Sequence, residues 1–211
     1  MNMPDNIQAG YTQKQEILHS LIHWPGILLG ITGMLFLNEP ENGYSVDFTA
    51  RLIYCCSFFV TFLFSSLYHS TKSTRLKNIF KILDHISIYF LIAGTYTAII
   101  LMYVNNKSGI FMLTLVWLGA LAGSFFKIFF QEKSQVFSAC FYLLLGLFFL
   151  FDAKNFFAAI PVNITLLIIV GVILYVAGVF FYLWRGWQYN HAVWHTFTLA
   201  AGVCHFIAIF S

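Results

Sequence analysis

The chain has 211 residues and a mass of 24.2 kDa, of which 60% are hydrophobic and only 9% charged, with a mean hydropathy of +0.80. Soluble domains carry about 25% charged residues, so this composition excludes a water-facing globular domain. A net charge of +3 without a dense basic run excludes a nucleic-acid footprint.

Helical spans need roughly 20 apolar residues each. Seven apolar segments are expected in chain order, at 17–37, 48–69, 79–104, 108–130, 135–151, 161–184 and 191–210. The first lies late, follows no basic n-region and precedes no small-residue cleavage site, so it reads as a retained span after a cytoplasmic segment 1–16. NEPENG follows the first segment, STKSTRLK the second, NNKSG the third and QEKSQ the fourth. The fifth segment is short, which predicts a bend or tilt, and DAKN ends it. The last two are joined by WRGWQYN. The runs are too long for barrel strands and lack their alternation. The fold class is therefore an all-α membrane protein, a single seven-transmembrane-helix bundle over 17–211. Cys55, Cys56, Cys140 and Cys204 show no CxxC spacing and are expected to be small buried side chains.

Basic residues set the expected orientation. With the N-terminus in the cytoplasm, that side holds Lys14, Lys72, Arg75, Lys77, Lys81, Lys127, Lys133 and Arg185, against Arg51, Lys107 and Lys154 opposite. Glu39, Glu41 and Asp47 fall outside, as does the C-terminus.

Ionisable groups inside a bilayer are expensive and mark function by default. This topology puts Glu16, His19, His23, His69, Asp84, His85, His191 and His195 in one leaflet, although they are scattered through the sequence. His191-x-x-x-His195 presents two imidazoles on one helical face, with Cβ atoms about 5–6 Å apart, suited to one ion. His205 lies near that face but about 21 Å further along the axis, so it cannot share a mononuclear site and is expected to pack or gate. His69 is taken as the third ligand, with Ser65 one turn before it. Three neutral imidazoles leave a fourth position for water, the arrangement of a catalytic zinc site. Asp84 would take or orient that water's proton, and Ser65 would donate to a developing oxyanion. The alternatives are interhelical hydrogen bonding for His191 and His195, an interfacial helix end for His69, and pairing of Asp84 with Lys81 or His85.

Several motifs occur in order: Glu16…His23, Ser65-x-x-x-His69, Asp84-His85-x-x-x-Tyr89, Ala93-Gly94-Thr95-Tyr96-Thr97, and His191-x-x-x-His195 with His205. From about residue 14 to the end, the chain resembles the haemolysin III family of bacterial membrane proteins, related to the progestin and adiponectin receptors and alkaline ceramidases. The resemblance implies a plasma-membrane protein with zinc held near the cytoplasmic face by His69, His191 and His195, with Ser65 and Asp84 completing the site. It also implies membrane lipids as partners and, in some relatives, lipid amide hydrolysis. Two departures stand out. Glu16-x-x-His19 replaces a frequent Glu-x-x-Asn, which makes His19 a further possible metal contact, and Ala98 stands where a proline often follows Gly-Thr-Tyr-Thr, which is expected to straighten the third helix.

Three functional classes remain open on these residues. One is a zinc-dependent hydrolase of a lipid amide or ester. Another is a membrane-homeostasis or receptor-like protein with structural zinc. The third is a pore, which sparse intramembrane charge disfavours. The paired HxxHH boxes of membrane di-iron enzymes are missing from the sequence.

Overall fold

The computed structural model describes residues 11–37, 45–130, 135–184 and 186–211. Glu39, Glu41, Lys133 and Arg185 of the charge argument lie outside the described residues. Among the described residues there is no strand, and seven helical segments are long and apolar enough to cross a membrane. They are α1 (Gln13–Leu35), α2 (Val46–Ser70), α3 (Thr74–Tyr103), α4 (Lys107–Phe129), a composite fifth span, α7 (Val162–Leu183) and α8 (Asn190–Phe210). The fifth span consists of α5 (Gln135–Gly146), a 3₁₀ turn (Phe148–Asp152) and α6 (Ala153–Ala159).

Local sequence explains the helix starts. Thr12 opens α1 with a capping box, its hydroxyl accepting from the Gln15 amide while the Gln15 side chain accepts from the Thr12 amide. Ser45 and Asn106 cap α2 and α4 through one bond each, their side chains accepting from the Phe48 and Gly109 amides. The capping box starts α1 four residues before the apolar segment does, and this brings Glu16 onto the helix.

The buried face of α1 is a stripe: His19, Ser20, His23, Gly26, Gly30 and Gly33. Its glycines set how closely α1 approaches α2. A Cβ on Gly26 would sit 2.4 Å from the Phe62 ring, and one on Gly30 would sit 3.0 Å from the Phe59 Cα. Small residues at such spacing allow membrane helices close backbone approach. That approach carries His19 and His23 to the end of α2 where Ser65 and His69 lie. Ser20 and Ser66 join the helices there through a 2.9 Å hydroxyl contact.

The break in the fifth span is held by α3. A helix that stops inside a membrane leaves backbone groups that must find partners. Tyr96 Oη donates to the Gly146 carbonyl at 3.2 Å and accepts from the Phe149 amide at 2.9 Å. The expected bend is therefore present, but the polar DAKN stretch does not end the span; it falls at the start of α6, and the span closes four residues after it, at Ala159. Tyr96→Phe strands both backbone groups and is expected to cost about 1–3 kcal/mol. A lowered thermal midpoint in detergent, with unaltered metal content, is the expected readout; an unchanged midpoint would show that water replaces the phenol.

The cysteine expectation is corrected in part. Cys55 is buried, Cys204 is half-buried, and Cys56 and Cys140 are exposed. Apolar periphery on a membrane helix faces lipid rather than a protein core, so a cysteine there is sheltered from water without being packed by protein. α3 runs without interruption through Ala98, as the absence of proline leads one to expect.

Candidate metal centre

Three helices from the two ends of the chain, α1, α2 and α8, build the centre. His19 comes from the second turn of α1, His69 from the last turn of α2, and His191 and His195 from the first turns of α8. Each offers one ring nitrogen to a group whose members all lie within 4.8 Å of one another. His19, His69 and His195 are buried, and His191 is half-buried. The rings of His191 and His195, brought to one helical face by their i, i+4 spacing, stand 4.3 Å apart and nearly perpendicular.

The donor set fits a metal ion on two observations. His69 Nε2 and His195 Nε2 are 3.1 Å apart, close to the edge of about 3.3–3.4 Å of a tetrahedron with 2.0–2.1 Å bonds. Both ring nitrogens of His19 are buried without a hydrogen-bond partner. Buried polar groups are nearly always paired, and an unpaired imidazole among three others has a lone pair that a cation would satisfy.

The orientation of His69 is fixed from behind. Its Nδ1 is 2.7 Å from Glu16 Oε2. A carboxylate only accepts, so Nδ1 carries the proton and Nε2 presents its lone pair to the centre. Metal-binding histidines are commonly held by such a carboxylate. The other oxygen of Glu16 accepts from Lys77 Nζ, which ties in the first turn of α3. Tyr11 closes the end of the group, stacked on His191 at 5.1 Å and edge-on to His19 at 4.8 Å.

Beside the imidazoles is a cavity of about 440 Å³, whose lining includes His23, Ser65, Asp84, His85, His191 and His195. Ser65 Oγ is 2.9 Å from His23 Nε2 and also interacts with the Asp84 carboxylate, so His23, Ser65 and Asp84 form a polar string across one wall. A second, apolar cavity of about 90 Å³ shares Thr61, Tyr142, Trp194 and Thr198 with the first and continues past Leu91, Ile92, Leu143 and Val176.

The sequence profile described as "Haemolysin-III related" matches residues 11–206. The chain belongs to the haemolysin III family. This haemolysin III protein is 34% identical over 201 residues to the "Hemolysin-3 homolog" of Bacillus subtilis (strain 168), covering 94% of both chains. It is 33% identical over 198 residues to "Hemolysin-3" of Bacillus cereus, covering 93% of this chain and 90% of that protein. The human "Monocyte to macrophage differentiation factor" is 28% identical over 190 residues, covering 87% of this chain and 78% of its own length.

In this haemolysin III protein, the residues expected at one depth meet in one place. His69, His191 and His195 share one group, and Ser65 and Asp84 share the adjoining cavity. His205 stands apart, its Nε2 donating to the Ile168 carbonyl at 3.3 Å, with Gly171 leaving room for its ring. His85 is turned by a 2.6 Å bond from Nδ1 to the Lys81 carbonyl. Three contributions were not assigned from sequence: Glu16 behind His69, His23 on Ser65, and the full approach of His19. The signal for them is the 16, 19, 23 spacing, which puts all three on one helical face.

Proposed function

We propose that this haemolysin III protein binds zinc through the histidine group and hydrolyses a lipid amide or ester in the adjoining cavity. The observation that carries the reading is the convergence of four buried or half-buried imidazoles, two of them 3.1 Å apart, beside a cavity that His191 and His195 line together with Asp84 and Ser65. An all-imidazole set with one nitrogen pair near the tetrahedral edge suits zinc. Bound there, zinc supplies Lewis-acid polarisation and a water acidic enough to react near neutral pH.

The chain's own groups supply the rest. Asp84 takes a proton at a carboxylate oxygen and returns it to the leaving group. Ser65 donates its hydroxyl proton to the carbonyl oxygen of the bound lipid, with His23 Nε2–H donating to Ser65 Oγ to hold it in that orientation. The apolar cavity past Leu91 and Val176 receives hydrocarbon. The excess of Lys14, Lys72, Arg75, Lys77, Lys81 and Lys127 over the basic residues of the opposite side supports a site in the cytoplasmic leaflet of the bacterial plasma membrane.

A second reading, structural zinc in a membrane-homeostasis protein, is favoured by the number of imidazoles, since structural sites are four-coordinate and closed. Asp84→Asn separates the two. Hydrolysis predicts that the zinc-loaded wild type turns over at least one member of a micellar panel of lipid amides and esters. The variant should lose at least about a hundredfold of that rate while keeping its zinc. Failure of the wild type on every lipid would leave the structural role, and full activity in the variant would remove Asp84 from the mechanism.

A further inference from the structure

We infer that His19 is itself a metal ligand, so that the centre is a four-histidine site whose fourth position is closed by α1. The inference rests on the metal-binding reading above and changes its resting state.

Geometry argues for this directly. The His19 ring centroid is 4.8 Å from that of His69, 4.9 Å from His191 and 5.5 Å from His195, with interplanar angles of 71°, 70° and 63°. An imidazole that met the others only by packing would be expected to turn one nitrogen toward a carbonyl or hydroxyl, as His205 does toward Ile168 and His23 toward Ser65. His19 is 0% exposed, and neither of its ring nitrogens has a partner. Its ligand nitrogen lies within 4.8 Å of those of the other three imidazoles. A shared ion would draw a separation of that size toward a tetrahedral edge of about 3.3–3.4 Å.

The consequence is chemical. Catalytic zinc sites keep one position for water, and structural sites fill all four with protein. A fourth imidazole on α1 makes this site closed at rest. Water gains access when His19 yields its place, which a shift of α1 along its glycine stripe would allow. α1 is thus both a ligand carrier and the element that sets whether the centre can act.

The test uses the full chain in detergent, loaded with Co²⁺ as a spectroscopic stand-in for zinc, and azide as a probe of exchangeable coordination. The wild type is expected to bind one Co²⁺ per chain with intense tetrahedral d–d bands that azide does not alter. His19→Asn should keep the ion, lose it to a chelator at least about tenfold faster, and gain bands that shift with azide. Azide-sensitive bands in the wild type would overturn the inference while leaving the metal site standing, and so would unchanged release and spectra in the variant. Absence of Co²⁺ and Zn²⁺ binding in the wild type would overturn both. The wild-type azide titration decides the matter even if the variant fails to fold, and His19→Gln serves as a second substitution.

Discussion

Replacing His195 with alanine is expected to strip the protein of bound metal and to remove most of the stability that metal confers. His195 is buried at 3% exposure, and its Nε2 lies nearest the His69 Nε2 that Glu16 aims into the centre. Without it, the two remaining helices α1 and α2 keep His19 and His69, but α8 contributes only half-buried His191. A ligand that binds the folded state at a thousand times its Kd stabilises by about 4.1 kcal/mol. Metal analysis should find one zinc per wild-type chain and almost none in His195→Ala. A chelator should lower the wild-type thermal midpoint by several degrees and leave the variant unmoved. His205→Ala is the control on the same helix: it removes a buried imidazole bonded to Ile168 and should lower the midpoint while retaining zinc. Stoichiometric zinc in His195→Ala would mean that the 3.1 Å contact is a hydrogen bond between two imidazoles and nothing more.

The contrast between His195 and His205 also shows what could be read from the sequence. Helical rise alone separates them by about 15 Å, so their different fates followed from spacing. The meeting of His69 with His191 and His195 followed from topology, because alternating spans return to the same leaflet. Contacts that depend on how close two helices come were not legible in this way. His19 reaches the centre because Gly26 and Gly30 let α1 lie against Phe62 and Phe59, and a count of spans gives no interhelical distance. For the same reason Ser65, one turn from His69 and expected to donate to a developing oxyanion, is found bonded to His23 across the α1–α2 contact. The end of the fifth span failed differently. DAKN is polar enough to mark a loop, yet Asn155 Nδ2 donates to Asp152 Oδ1 at 2.8 Å and Ser108 donates to Asp152 Oδ2, and the helix continues beyond them.

Glu16→Gln is expected to weaken metal binding by about 10–100-fold, the range seen when a carboxylate behind a metal-bound histidine is lost. The carboxylate holds the Nδ1 proton of His69 at 2.7 Å with one oxygen and Lys77 with the other. Glutamine keeps the length of the side chain but carries only one acceptor oxygen. If that oxygen stays on His69, the amide NH₂ faces the Lys77 ammonium, donor against donor. If the amide flips, His69 meets a donor and must turn or change tautomer, which withdraws the Nε2 lone pair from the centre. Either arrangement raises the free energy of the bound state, and competition with a calibrated zinc chelator measures by how much. Lys77→Met should cost less than Glu16→Gln, because it leaves the His69 contact whole and removes only the half-exposed partner. The decisive comparison is a double-mutant cycle. In a His69→Ala background, Glu16→Gln should change the residual affinity by less than about twofold, since the group it orients is gone. An undiminished loss in that background would mean that Glu16 acts through its charge on the whole centre and not through the His69 ring.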